Sequence, residues 1–137
     1  MTVSSRTVEH VGEWRVELRA NMLAEIFQEL ARVIAHSAGT SSGSHGPWED
    51  LEVEARDREG LLVDYANELV SRSEIDRRAY DDVRDIVIHD EGPPRIHARV
   101  RGRPVKSWRS PLKAATYHGV RLSREGEGWL ASVLFDV

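Results

Sequence analysis

Three side chains with the chemistry of a functional site lie close together near the end of the sequence. Lys113, Tyr117 and His118 bring a cation, a phenol and an imidazole into the segment Leu112 to Val120. A lysine that leads into a strand can act as a point charge on a phosphate group. A histidine alone in a strand is also typical of a hydrogen-bonded residue at the margin of the core. The pattern indicates Lys113, and after it His118, as candidate functional residues. It leaves open whether either takes part in chemistry.

A second candidate site consists of oxygen ligands near the two ends of the sequence. Glu13 opens an early strand, Asp136 is the penultimate residue and Val137 adds a terminal carboxylate. If the first and last strands are neighbours, these three donors converge. Hard cations such as Ca²⁺ and Mg²⁺ bind oxygen ligands of this kind. An Asp near the end of a chain can equally be a solvated residue.

The third candidate is a basic stretch. Nine Lys and Arg residues but no Asp or Glu occur from Gly92 to Arg124. Within it Arg99 and Arg101 alternate with apolar residues, and Trp108 follows. Such a row can bind a phosphate backbone and stack bases, or contact the acidic surface of a protein partner. It can also be an ordinary solvated strand face.

Composition limits the class of protein. The chain has 137 residues, a net charge of −4 and no cysteine, which suits one domain and excludes disulfides, thiol catalysis and thiolate metal sites. No apolar run approaches the roughly 20 residues of a membrane helix, and the first five residues lack the cationic-then-apolar order of a signal peptide. We therefore expect a cytoplasmic protein without a membrane partner. Phosphate-binding loops and zinc-protease or hydrolase motifs are missing, so a self-contained enzyme of a common class is not expected.

Two helices are predicted to position these residues. Apolar residues recur at helical spacing from Met22 to about His36 and from Arg58 to about Arg72. The outer face of the second helix carries a polar stripe that can be solvated or can contact a partner, and its members are Asp64, Asn67, Glu68 and Ser71.

Six strands complete the predicted domain, which spans residues 1–137. They are expected over 7–20 (one strand or a hairpin), 51–56, 80–89, 95–101, 114–122 and 129–135. Residues 1–6 are predicted to be a frayed tail, 37–47 a mobile loop and 102–111 a connection. The order β-α-β-α-β-β-β-β indicates an α+β fold with a two-layer, largely antiparallel mixed sheet and both helices on one face.

Four segments together resemble the archease family. Lys-Ala-Ala-Thr-Tyr-His-Gly at 113–119 and Leu-Phe-Asp-Val at 134–137 are similar to the family's Lys-Ala-x-Thr-Tyr-His-Gly strand and apolar-Asp-apolar tail. Leu-Leu-Val-Asp-Tyr-Ala-Asn-Glu-Leu at 61–69 is similar to its Leu-Leu-x-Asp-x-Leu-Asn-Glu helix. Residues 6–27 resemble its opening His-Thr-Ala-Asp segment and first helix. The resemblance covers nearly the whole chain in the right order.

The resemblance implies an accessory protein without ligase chemistry of its own. Such a protein promotes guanylylation and multiple turnover of an RtcB-type RNA ligase in tRNA splicing or RNA repair, so GTP and RNA are involved through the ligase. It also implies a divalent metal, Ca²⁺ or Mg²⁺ or Mn²⁺, held by Glu13, Asp136 and Val137, with Lys113 as the activating residue. Here Glu13 replaces the family's Asp and is one methylene longer.

The partner is expected to contact Asp64, Arg99 and Arg101. Two further hypotheses remain at this stage. One is a stand-alone RNA-binding module that uses the basic 95–109 stretch, and the other is a small metal-dependent hydrolase.

Overall fold

The computed structural model describes residues 2–137, which form eight strands and two helices. In chain order these are β1 (Ser4–His10), β2 (Glu13–Ala20), α1 (Leu23–Ser37), β3 (Gly39–Ser41), β4 (Glu49–Glu54), α2 (Arg58–Asp76), β5 (Arg78–His89), β6 (Arg95–Trp108), β7 (Ala114–Glu125) and β8 (Gly128–Asp136). Within this range neither helix has the length and hydropathy of a membrane-spanning segment.

The strands build two antiparallel sheets. The first has the order β1-β2-β8-β7, so that β8 lies between the first hairpin and β7. In the second sheet β6 is central: β5 pairs along one edge, and β4 pairs with β6 over 95–100. The short strand β3 pairs with the far half of β6, on the edge that β4 also uses.

One continuous core joins both sheets to both helices. Period-two alternation turns Val16, Leu18 and Ala20 of β2 inward, where each is at most 1% exposed. The helices contribute their apolar stripes, namely Ile26, Phe27, Leu30 and Ile34 of α1 and Leu61, Leu62, Tyr65, Ala66 and Leu69 of α2. The predicted α+β class with two helices is confirmed, whereas the strands form two sheets instead of one.

Several predicted tail, loop and connection boundaries were wrong, and the reason in each of these cases is a strand-pairing partner. Residues 4–6 are not a tail, because Val11 and Gly12 (φ +81°) turn the chain so that β1 pairs with β2; Met1, also placed in that tail, lies outside the described residues. Segment 37–47 includes β3, and Ser42 and Gly46 donate backbone hydrogen bonds to Pro104 and Gly102 of β6.

The predicted connection 102–111 is also largely strand. Gly102 and Pro104 indicate a loop when only local sequence is considered. In the structure β6 continues to Trp108, because partners are available on both edges: Val105 N–H donates to Arg77 O at 3.0 Å, and Ser42 N–H donates to Pro104 O at 3.0 Å. Helix α2 likewise runs four residues past the predicted Arg72, to Asp76.

Tyr65 ties the two helices together and permits a test of the core. Its ring packs edge-on against Phe27 at a centroid distance of 5.0 Å, and its hydroxyl donates to the Phe27 backbone oxygen at 2.8 Å. We expect Tyr65→Phe to lower the free energy of unfolding by about 1 to 2 kcal/mol, because it leaves a buried acceptor with one partner fewer. Urea unfolding measures the change. The control is Tyr117→Phe, which removes a hydroxyl from a ring that is 61% exposed, and equal losses in the two variants would contradict the expectation.

Candidate functional site

Three strand ends meet at one end of the first sheet. β2 begins at Glu13, β8 ends at Asp136 and β7 begins at Ala114, and Asp136 is the register partner of both Glu13 and Ala114. Two backbone hydrogen bonds close this end: Val137 N–H donates to Gly12 O at 3.1 Å, and Lys113 N–H donates to Asp136 O at 2.9 Å. The backbone therefore holds the two predicted carboxylates and the predicted lysine together.

Glu13 and Asp136 share one face of the sheet. Directly opposite residues of an antiparallel pair project to the same side, with Cβ atoms about 4.5–5.5 Å apart. The neighbouring pair, Trp14 and Phe135, projects to the other side, and Phe135 is fully buried in the core. Asp136 is exposed and Glu13 is half-buried. Two carboxylates thus converge at the surface of the molecule.

The donor set suits a hard cation. Every donor predicted for this site is an oxygen, which matches the preference of Ca²⁺, Mg²⁺ and Mn²⁺. Among residues 2–137 no group of three or more His, Cys, Asp and Glu side chains is arranged to hold a metal. Glu13 and Asp136 would therefore need a further oxygen ligand, and Val137 is its predicted source. The hydrogen bond from the Val137 N–H to the Gly12 O holds Val137 beside the start of β2.

Lys113 is exposed at this end of the sheet. In the described part of the chain its ammonium group has no carboxylate within ion-pair distance, in contrast to most of the arginines. The side chain is available to an anion from outside the molecule. Lys113 is anchored only through its backbone, and its ammonium can move toward a phosphate.

The residues that follow Lys113 on β7 differ in their roles. His118 is exposed, so it is not a residue of the core margin. The Tyr117 hydroxyl donates to Asp64 on α2, and this hydrogen bond raises the pKa of the phenol. The Thr116 hydroxyl is buried without a hydrogen-bond partner among the described residues. The Tyr117 hydroxyl therefore links β7 to α2. Asp64, which was predicted to contact a partner protein, accepts this hydrogen bond within its own chain.

The sequence did not predict the contacts that the Asn67 side chain makes with β7. It belongs to the polar stripe of α2, for which a solvated surface was a sufficient explanation. Its side chain accepts from the Ala115 N–H at 2.7 Å and donates to the Ala115 O at 3.0 Å. Asp64 and Asn67 are three residues apart and so lie on the same helical face. That spacing was the available signal, but only the fold shows that β7 runs beside it.

Arg99 and Arg101 lie elsewhere, on β6 of the second sheet. Arg99 donates to Asp50 of β4 at 3.0 Å and Arg101 donates to Asp82 of β5 at 2.7 Å. The neighbouring Arg103 contacts Asp81 at 3.3 Å. Acidic side chains of the flanking strands thus pair with Arg99, Arg101 and Arg103, so this part of β6 is not a free cationic surface of the kind that phosphate backbones bind.

Trp48 also contacts arginine side chains on this face. The guanidinium carbons of Arg84 and Arg101 lie 3.9 and 4.4 Å from the centre of its ring. Cation–π contacts therefore occupy the aromatic surface that a base would need for stacking. The arrangement does not favour the stand-alone RNA-binding hypothesis.

The α+β fold thus displays a carboxylate pair and a lysine on its surface, at one end of the first sheet. Residues 6–137 match the Archease protein family. Archease of Methanopyrus kandleri is 27% identical over 136 residues, covering 95% of this chain and 96% of that protein. Archease of Methanosarcina acetivorans is 27% identical over 138 residues, covering 95% and 93%. The chain belongs to the archease family.

Two solved structures have the same fold. The solution structure of Methanobacterium thermoautotrophicum protein 1598 superposes with a TM-score of 0.78 at 18% identity, covering 97% of this chain and 98% of that one. A crystal structure from Thermotoga maritima, described as an archease and possible chaperone, gives a TM-score of 0.66 at 19% identity and covers 96% of each chain. The resemblance that the sequence suggested is confirmed, and so is the fold class.

Proposed function

We propose that this protein promotes guanylylation and multiple turnover of an RtcB-type RNA ligase in tRNA splicing or RNA repair. Membership of the archease family supports an accessory role. The observation that carries the proposal is that Lys113 and Asp136 are exposed next to each other, joined by a backbone hydrogen bond of 2.9 Å. Charged groups displayed in this way can enter a site that another protein completes.

The chain's own residues supply charge and positioning in this proposal. Glu13 and Asp136 present two negative charges on one face of the sheet and would hold a divalent ion, Ca²⁺ or Mg²⁺ or Mn²⁺. When bound, such an ion supplies positive charge that offsets the charge on a triphosphate. Lys113 adds a cation beside them and can contact a phosphate oxygen directly. The strand hydrogen bonds at Gly12 and Lys113 keep these groups in a fixed relation before the partner arrives.

The ligase supplies the nucleophile, its own histidine, so no residue of this chain makes or breaks a bond. GTP and RNA belong to the ligase and meet this protein only at the shared surface. Holding reacting groups in position is by itself a large contribution to phosphoryl transfer, since that chemistry depends mainly on alignment and charge.

The test is to mix the protein with a purified RtcB-type ligase and GTP and to measure labelled guanylate on the ligase. We expect the wild-type protein to raise both the guanylylated fraction and the number of ligation turnovers. Asp136→Ala and Lys113→Ala should each remove most of the increase. Glu17→Gln is a matched control, because Glu17 lies on the same strand and sheet face as Glu13 but forms an ion pair with Arg6 at 2.6 Å. Equal guanylylation with and without the wild-type protein would exclude the proposed function.

A further inference from the structure

β7 is an edge strand of the first sheet, since its one strand neighbour in the described chain is β8. Edge strands leave backbone N–H and C=O groups without strand partners. At Ala115 both groups instead meet the carboxamide of Asn67, at 2.7 Å for the N–H and 3.0 Å for the C=O. One side chain of α2 thus takes the place that a neighbouring strand would have at this residue.

The helix that carries Asn67 is well fixed. Asp57 caps its first turn by accepting from Gly60 N–H at 2.6 Å. Leu61, Leu62 and Leu69 are at most 1% exposed, so the opposite face of α2 is embedded in the core. Asp64, one turn before Asn67, contacts Tyr117, two residues beyond Ala115. β7 is therefore fastened to a rigid element at successive positions along its edge.

These contacts bear on Lys113, which lies two residues before Ala115. On one side the Lys113 N–H bonds to Asp136 of β8, and on the other Asn67 holds Ala115 against α2. From these contacts we infer that Asn67 is a positioning residue that fixes the start of β7 and so sets where Lys113 stands relative to Asp136. The inference rests on the proposed function, because it assigns Asn67 a part in presenting Lys113 to the ligase.

A positioning role differs from a structural one in what a substitution changes. A merely structural Asn67 would affect stability alone, and the folded fraction would stimulate the ligase as before. A positioning Asn67 would affect the largest stimulation reached at saturating protein, whereas the concentration giving half of that stimulation would stay the same, because the docking surface remains.

Two variants and one control separate these roles. Asn67→Ala removes both hydrogen bonds to Ala115. Asn67→Asp keeps the shape and the acceptor but places a carboxylate oxygen against the Ala115 C=O, and it carries the test if the alanine variant does not fold. Gln28→Ala is the matched control, because Gln28 of α1 is a carboxamide that donates to the backbone oxygen of Val83 in β5 at 2.9 Å.

The first readout is amide hydrogen exchange at residues 113 and 115, which needs no ligase. In Asn67→Ala we expect exchange at Ala115 to become at least about tenfold faster, as loss of a buried hydrogen bond implies. Gln28→Ala should leave it unchanged. An unchanged exchange rate of the Ala115 amide in Asn67→Ala would overturn the inference.

The second readout is ligase guanylylation as a function of protein concentration. Both Asn67 variants should lower the maximum stimulation by about tenfold with the half-maximal concentration within about twofold of wild type. Wild-type stimulation by both Asn67 variants, while Lys113→Ala is inactive, would overturn the inference and leave the proposed function intact. Full stimulation by Lys113→Ala and Asp136→Ala would show that these two residues do not carry the stimulation, and would overturn this inference. Absence of stimulation by the wild-type protein would overturn the proposed function itself.

Discussion

Replacing Glu13 and Asp136 together by their amides, Glu13→Gln with Asp136→Asn, is expected to abolish binding of the divalent ion that we propose for this site. The two carboxylates are register partners on one sheet face and are the only acidic side chains predicted for the site. Their amides have nearly the same shape but no charge. Loss of a residue that only hydrogen-bonds to a metal ligand commonly lowers metal affinity by about 10- to 100-fold. We therefore expect that loss of both ligands lowers the metal affinity by at least about 100-fold.

Isothermal titration of the metal-free protein with CaCl₂, and then with MgCl₂ and MnCl₂, measures this effect. A second readout is thermal unfolding, since an ion that binds only the folded state raises its midpoint. Glu17→Gln serves again as the control and should bind like the wild type. Equal affinities in the wild type and the double variant would show that Glu13 and Asp136 do not hold the ion.

The second large effect is expected for Phe135→Ala. Phe135 lies on the central part of the first sheet, between Trp14 of β2 and Ala115 of β7, and is fully buried. Removing a buried phenylalanine ring leaves a cavity and typically costs about 3 to 5 kcal/mol. Whole domains are typically stable by only about 5 to 15 kcal/mol. The variant should therefore be partly unfolded at physiological temperature.

Urea unfolding followed by far-UV circular dichroism gives the free energy of Phe135→Ala. The matched control is Leu134→Ala, one residue earlier on the same strand, because Leu134 is half-buried and projects to the opposite face. We expect that control to lose about 1 kcal/mol. A loss of that size for Phe135→Ala as well would mean that the core beneath the site does not depend on this ring.

The candidate site was predictable from sequence in part. Alternation along β2 and β8 indicated two strands, and the acids at their ends converge because those strands pair antiparallel from Glu13 to Ala20. Helix positions followed from apolar spacing. Local sequence could not show which strands are neighbours, and for this reason the pairing of residues 4–6, the docking of segment 37–47 and the length of β6 were all missed.

The same limit applies to two features of the surface. The run of arginines around Arg99 has no acidic residue near it in sequence, yet Asp50 and Asp82 lie across from it on the flanking strands. Asn67 looked solvated because its partner, Ala115, is 48 residues away. In both cases the deciding contact is between strands or helices that are distant in sequence, and a charge or spacing pattern within one segment contains no information about it.

The pairing of β2 with β8 also determines when the site can form during synthesis. Glu13 and Asp136 are 123 positions apart (136 − 13), so their strands join only after nearly the whole chain has been made. Contacts between such distant segments form slowly compared with helices and hairpins. The second sheet and α2 come from the middle of the chain and can assemble earlier. A nascent or truncated molecule would therefore lack the carboxylate pair, and only a completely folded one would display it.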